Sequence, residues 1–275
     1  MAADQDASGP SPDTPLSAPC DIRRLGPVLI LTINDATTRN ALHPDTYRDF
    51  GAALENARTE PAIRAIILTG AGGTFCAGGN VRRLEANRQG TREEQRLRIE
   101  VLHGLVRAIR SAPQPVVAAV EGAASGAGFS LALACDLIVA AEDARFTLAH
   151  VRIGLSPDGG ATAFLGRALP PQLAAEVVLT GDTFAATRLH GLGLVNRLAP
   201  PGRALDEALA LADRLAAGPR AAQARAKALL AASRETSLTN QLDREADVFV
   251  ASLFDDEAAE GLAAFREKRK PNFGY

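Results

Sequence analysis

Two glycine-rich turns carry the residues best suited to chemistry. Gly126, Ala127 and Gly128 lie in a stretch, 122–136, where small residues run into an apolar helix and then into a strand at 137–141. Amides at a helix start have no partner within the helix, and with so little side chain in the way they can point at a negative oxygen of a ligand. The earlier segment 70–79, Gly-Ala-Gly-Gly-Thr-Phe-Cys-Ala-Gly-Gly, follows a strand at 65–69 and has the same character. One N–H from each turn could hold a single carbonyl oxygen as it gains charge, which is oxyanion or enolate chemistry. Read for packing alone, both are simply tight turns.

The elements that must position these turns follow from periodicity. Residues 22–34 alternate apolar and polar around Gly26-Pro27 and read as a hairpin; Pro44 then opens a helix that runs to about Arg58. The runs 65–69, 116–120 and 137–141 are short, apolar on both faces and separated by helical patterns, which predicts a parallel sheet with helical crossovers. A short strand is expected at 145–148, broken helix from 159 to 193 and a further strand at 194–198, while 85–98 reads as a solvated, mobile helix. Beyond Arg203 the pattern is helical only: Leu205, Ala208, Leu209, Ala212 and Leu215 share one face, as do Leu238, Leu242, Ala246, Phe249 and Leu253. This divides the chain into an expected disordered tail at 1–20, an α/β core at 21–200 and a helical region at 201–275. No internal repeat of 20 to 50 residues is evident.

Composition narrows the function classes. In 275 residues, 47% hydrophobic and 23% charged, 30 Lys and Arg face 32 Asp and Glu, so nothing in the balance calls for nucleic acid or an anionic membrane. No apolar stretch approaches the roughly 18 residues of a membrane span, and residues 1–20 lack the features of a secretory or transit signal. Cys20, Cys76 and Cys135 are odd in number and far apart, which fits reduced thiols in a cytoplasmic protein. The four His and three Cys form no metal-ligand spacing, and a G-x-G-x-x-G fingerprint is absent, so neither a metal nor NAD or FAD is expected.

Arg39-Asn-Ala-Leu42, Leu68-Thr-Gly70 with Phe75-Cys-Ala-Gly-Gly-Asn-Val81, Gly126-Ala-Gly128 with Cys135-Asp136, Phe146 with Gly154-Leu-Ser-Pro-Asp-Gly-Gly160, Leu179-Thr-Gly181 and Phe265-Arg-Glu-Lys-Arg269 succeed one another along the chain. With these motifs in this order, the chain resembles the crotonase superfamily of enoyl-CoA hydratases and isomerases. The resemblance implies an α/β fold, a spiral of β-β-α repeats with a C-terminal all-α region that mediates trimer formation, and a homotrimer or dimer of trimers. It implies an acyl-CoA thioester as substrate, with CoA belonging to the substrate and no separate cofactor. The oxyanion hole would be the backbone N–H groups of Gly79 and Ala127. CoA contacts would come from Arg39, Ala41, Ala77, Val81, Phe265 and Lys268, with Arg82, Arg83 and Lys270 as further basic groups for its phosphates.

Two positions depart from the hydratase pattern. Where hydratases carry a pair of glutamates, this chain has Ser130 and His150, which argues against water addition by two carboxylates. Eight residues beyond His150, Asp158 occupies a place where isomerase-type members carry an acid. Its neighbours Leu155, Pro157, Ala161 and Phe164 are mostly apolar, so a partly desolvated carboxylate is expected. The resemblance thus implies an enoyl-CoA isomerase with Asp158 as acid/base, closest in look to the phenylacetate-pathway ring-opening type. Asp158 also suits an N-cap, His150 a packing role and Ser130 space filling. Three other functions stay open: a hydratase with altered acid/base residues, a hydrolase built on Ser130, His150 and Asp158, since Gly128-Phe-Ser-Leu-Ala132 is similar to a nucleophile elbow without its last Gly, and an acyl-CoA-binding subunit without chemistry.

Overall fold

Each apolar run of the first half of the chain delivers one strand to a large sheet and a second, shorter strand to a small one. A computed structural model describes residues 19–274. β1 (Cys20–Leu25) and β2 (Val28–Ile33) form the expected antiparallel hairpin, with Leu25 opposite Val28. β3 (Ala41–Leu42) then leads into α1 (Pro44–Thr59). β4 (Ala65–Gly70) and β5 (Gly78–Gly79) are followed by α2 (Val81–Asn87) and α3 (Arg92–Ser111). β6 (Val116–Val120) and β7 (Ala123–Ser125) precede α4 (Ala127–Ala134), and β8 (Leu137–Ala141) and β9 (Arg145–Thr147) precede a 3-10 turn at Ala149–Ile153. Next come α5 (Ala161–Ala168), α6 (Pro171–Thr180), β10 (Thr183–Ala185), α7 (Ala186–Gly191) and β11 (Arg197–Ala199). The chain closes with α8 (Ala204–Ala216), α9 (Arg220–Ala232), α10 (Leu238–Leu253) and α11 (Asp256–Glu267).

The large sheet has the order β1-β2-β4-β6-β8-β11 and is parallel from β2 onward; β10-β9-β7 and β3-β5 form the smaller sheets. This is the β-β-α spiral that the motifs implied. Alternation along the strands sorts the core into two layers. Ile66, Leu68, Val116 and Ala118 face the helices α1, α3 and α4 with Phe50, Leu102 and Phe129, while Ile30, Ile67, Val117 and Val139 face α8. Ala204, Ala208, Ala212 and Ala216 let α8 lie close on that second face. Composition changes near residue 200, yet α8 packs as part of the core.

Several boundaries differ from the periodicity. Cys20 already belongs to β1, whereas residues 1–18 of the expected tail lie outside the described residues. The strand expected at 194–198 begins at Arg197, because Asn196 is tied to β8 through both its amide, on Ile138 O at 2.9 Å, and its side chain, which accepts from Ile138 N at 2.8 Å. The single helix expected at 85–98 is two, because Thr91 and Glu94 form a capping box that restarts the chain as α3. The apolar face of α10 is open: Phe249 is 68% exposed and Leu242 and Leu253 are exposed with it. Among the described residues no helix is long and apolar enough to cross a membrane.

A largely buried ion pair ties α9 to the chain around α3, β6 and β8. Lys227 of α9 meets Asp136 at 2.6 Å and donates to the carbonyls of Ile109 at 3.3 Å and Gln114 at 3.0 Å, while Asp136 also accepts from Val116 N at 2.9 Å. Burial pulls the Lys227 ammonium down and the Asp136 carboxylate draws it back up. Without Lys227, Asp136 would keep only Arg110, at 3.5 Å, and the carbonyls of Ile109 and Gln114 would lose their donor, so Lys227→Met should cost about 2 kcal/mol in urea unfolding; a loss no larger than that of a surface substitution would contradict the role.

Candidate active site

The two glycine turns meet because they follow β4 and β6, neighbours in the parallel sheet. Backbone bonds stitch them together: Cys76 N donates to Ala123 O at 2.9 Å and Ser125 N to Cys76 O at 2.9 Å. Side chains are excluded from the seam. A Cβ on Gly78 would stand 2.6 Å from Ser125 O and 3.3 Å from the amide nitrogen of Ala127, and one on Gly128 would stand 2.6 Å from Cys76 O. Ala127 is the first residue of α4, and its N–H has no acceptor among the described residues. Gly79 ends β5 opposite Leu42 of β3. Burial pushes the Cys76 thiol, which lies under the seam, up to about 12, so it stays protonated.

Asp158, His150 and Ser130 gather beside this seam. His150 Nε2 lies 3.2 Å from Asp158 Oδ1, with the side chains 10% and 25% exposed. His150 Nδ1 is sealed without a partner. A buried lone pair without a partner is tolerated better than a buried N–H without one, so the proton belongs on Nε2 and is donated to the carboxylate. The imidazole edge faces Gly126, whose Cβ would stand 3.7 Å from Nε2 and Cε1. Ser130 is fully buried one turn into α4, and its hydroxyl donates to the Asp158 carbonyl at 2.9 Å. That hydroxyl makes no bond to His150 among the described residues, so the three groups do not form the relay of a hydrolytic triad. Nor does Asp158 cap α5 through its side chain: the N-cap is Gly160, and Asp158 offers its backbone carbonyl to Ala161 N at 3.3 Å.

Arg39, Ala41 and Ala77 border the same seam: Ala77 N donates to Arg39 O at 3.1 Å, and Ala41 pairs with Gly78. Val81 opens α2 and is exposed. Arg39 and Asn40 both hold left-handed φ, 54° and 60°, and Asn40 anchors the bend. Its buried amide donates to Ala71 O at 2.8 Å and Thr74 O at 2.6 Å and accepts from Asp35 N at 2.9 Å. Phe265 and Lys268 lie elsewhere. They end α11, whose following segment is tied to the start of β4 by Arg64, bonded to Phe273 O at 3.4 Å and Gly218 O at 2.7 Å. The seam follows the other end of β4, about 17 Å along the strand. Sequence reasoning missed the anchoring role of Asn40; an Asn between an Arg and an Ala carries no signal of the loop it will hold.

A family profile described as enoyl-CoA hydratase/isomerase matches residues 24–275. The chain belongs to the enoyl-CoA hydratase/isomerase family. Among its relatives in that family, a putative enoyl-CoA hydratase of Thermus thermophilus is 37% identical over 251 residues, 90% of this chain and 98% of that one. A 1,2-epoxyphenylacetyl-CoA isomerase of Escherichia coli is 31% identical over 247 residues, 90% of this chain and 94% of that one. The crystal structure of an enoyl-CoA hydratase from Polaromonas sp. JS666 superposes with a TM-score of 0.91 at 47% identity, covering 92% of this chain and 98% of that one. Hydratases and an isomerase thus both stand among the relatives, and membership in the enoyl-CoA hydratase/isomerase family leaves the choice to the side chains.

The contact between Ser130 and the Asp158 turn is specific. Gly159 has a φ of 60°, and a Cβ there would stand 2.7 Å from Ser130 Cβ. Gly159→Ala should therefore destabilise the fold by about 1–3 kcal/mol, and Ser130→Gly in the same chain should recover part of that loss. Strict additivity in a double-mutant cycle of urea unfolding would show that the two residues do not press on each other.

Proposed function

We propose that the protein is an enoyl-CoA isomerase that shifts a double bond through a thioester enolate. The observation that carries this reading is the His150–Asp158 pair beside the free amide of Ala127. The thioester carbonyl oxygen accepts from the amides of Gly79 and Ala127, and the α4 helix start adds its partial positive charge. As the carbonyl becomes an enolate these bonds strengthen, and one such donor is worth about 3 kcal/mol of barrier. Asp158 takes a proton from C2 or C4 and returns it at the other end of the dienolate. His150 donates to Asp158 and orients it, and Ser130 holds the backbone of the same turn. One carboxylate suffices to carry one proton, whereas water addition asks for an acid and a base together.

CoA enters with the substrate. Its adenine and pantetheine run along Ala41, Ala77 and Val81, and its phosphates meet Arg39 or neighbouring basic groups. Phe265 and Lys268 act from a neighbouring subunit of a homotrimer or dimer of trimers in the cytoplasm. The open apolar face of α10 and the 86% exposed ring of Phe265 support that assembly.

Two experiments test this. In D2O with a panel of enoyl-CoA thioesters, mass spectrometry should find deuterium in the acyl group without a gain of water, and Asp158→Asn should slow exchange by about a thousandfold. Water addition would favour the hydratase, free CoA the hydrolase, and no turnover the binding subunit. In sedimentation equilibrium the chain should weigh three or six times its 28.7 kDa, and Phe249→Asp with Phe265→Asp should reduce it to monomer. A monomeric wild type would remove the assembly.

A further inference from the structure

A cleft of about 190 Å³ opens where the ends of α3 and α4 meet α5, α9 and the loop before β11. It lies at the amino edge of the large sheet, beside Asp136 and Ile138 at the start of β8, whereas Gly79 and Ala127 lie past the carboxyl ends of β4 and β6. The eight residues of α4, about 12 Å, separate Ala127 from that edge. Leu133, Phe164, Leu194 and Leu230 supply apolar lining, and Arg110, Asp136, Asn196, Lys227 and Arg234 supply polar lining.

What these polar groups leave free is all of one kind. Asp136 is engaged on both oxygens: Oδ2 takes Lys227 Nζ at 2.6 Å and Val116 N at 2.9 Å, and Oδ1 takes Arg110 Nη1 at 3.5 Å. Lys227 gives its three protons to Asp136 and to the carbonyls of Ile109 and Gln114, so it adds charge to the cleft but no donor. Asn196 uses its side-chain oxygen on Ile138 N, which leaves its NH2 group. Arg234, exposed just past α9, has neither a hydrogen bond nor an ion pair among the described residues. Arg110 is mostly buried, 6.0 Å from the centre of the Phe164 ring, and only its Nη1 has a partner. Its Nε and Nη2 are neither bonded nor sealed, so they open on accessible space, and the space that Arg110 lines is this cleft. Lying in the last turn of α3, Arg110 also suits that helix end by its charge, which uses none of these N–H groups.

We infer that this cleft binds a monocarboxylate with a short apolar body, at a site separate from the thioester site. Three lining cations stand against one carboxylate that is already engaged, so the cleft favours an anion. The Nε and Nη2 edge of Arg110 presents two parallel N–H groups, the fork that a carboxylate meets with both oxygens, and Asn196 and Arg234 add donors around it. Inorganic phosphate would match the donors but set its remaining oxygens against Leu133, Phe164, Leu194 and Leu230. A carboxylate on a carbon body suits both linings. An apolar cavity of about 150 Å³ accepts benzene, so a cleft of about 190 Å³ suits a body of roughly six carbons. The ligand is held there whichever reaction the seam supports.

Calorimetric titration of the full chain with hexanoate, 1-hexanol and inorganic phosphate tests this. The wild type should bind hexanoate at least about tenfold more tightly than 1-hexanol, which lacks the charge, or phosphate, which lacks the body. Arg110→Met should weaken hexanoate at least about tenfold. Because Arg110 also touches Asp136, Leu230→Asp serves as the second variant: Leu230 is exposed, and a carboxylate there sets a like charge in the cleft without opening the core. It should weaken hexanoate as much and leave urea unfolding unchanged. Hexanoate that fails to bind, or binds no better than 1-hexanol or phosphate, would overturn the inference. So would hexanoate that binds either variant as tightly as the wild type, since the ligand would then sit elsewhere, the thioester site included.

Discussion

The site depends on two backbone turns approaching more closely than any pair of side chains would allow. Parallel strands bring this about, since β4 and β6 are neighbours and the loops at their carboxyl ends emerge side by side. What the sheet brings near, Cys76 joins, giving its amide to Ala123 and its carbonyl to Ser125. Gly78 and Gly128 then become obligatory, because a Cβ on either would enter the opposite backbone. The amide of Ala127 inherits its direction from this seam and from the start of α4, with no side chain required. Such a donor is preorganised: the cost of orienting it is met in folding, before any charge develops on a ligand.

Around that seam the side chains depend on one another. Ser130 has no exposed surface, and the turn carrying Asp158 rests against it through a hydrogen bond to the Asp158 carbonyl and through the bare Cα of Gly159. A large side chain at position 130 would lift that turn from α4 and carry the Asp158 carboxylate away from His150. A small residue at 130 and the pairing of Asp158 with His150 are therefore one arrangement. His150 completes it from the opposite side, its Nε2 on Asp158 and its Nδ1 sealed without a partner.

Much of this was legible in the residues and some of it was not, for physical reasons. The large sheet was readable because strands buried on both faces leave unbroken apolar runs, as at Val116–Val120 and Leu137–Ala141. β3, β5 and β10 were not, since strands of two or three residues show no period. The glycine turns announced a close approach, but only the fold shows that they approach each other. Periodicity on α8 and α10 looked alike, while α8 buries its stripe on the sheet and α10 leaves its stripe open. Asn40 escaped notice because its partners, the carbonyls of Ala71 and Thr74, are distant in the chain.

The open stripe of α10 and the remoteness of Phe265 and Lys268 have a single physical explanation if the chain assembles. Within one chain the segment after α11 is linked through Phe273 O to Arg64, just before β4, whereas the seam lies past the carboxyl end of β4. A neighbouring subunit that covered the α10 stripe would remove exposed Phe and Leu side chains from water, a strong non-directional drive for contact. The same contact would supply the seam with an α11 from next door. On the proposed reading, then, burial of that stripe and completion of the CoA site are the same event, and a chain kept monomeric would lack both.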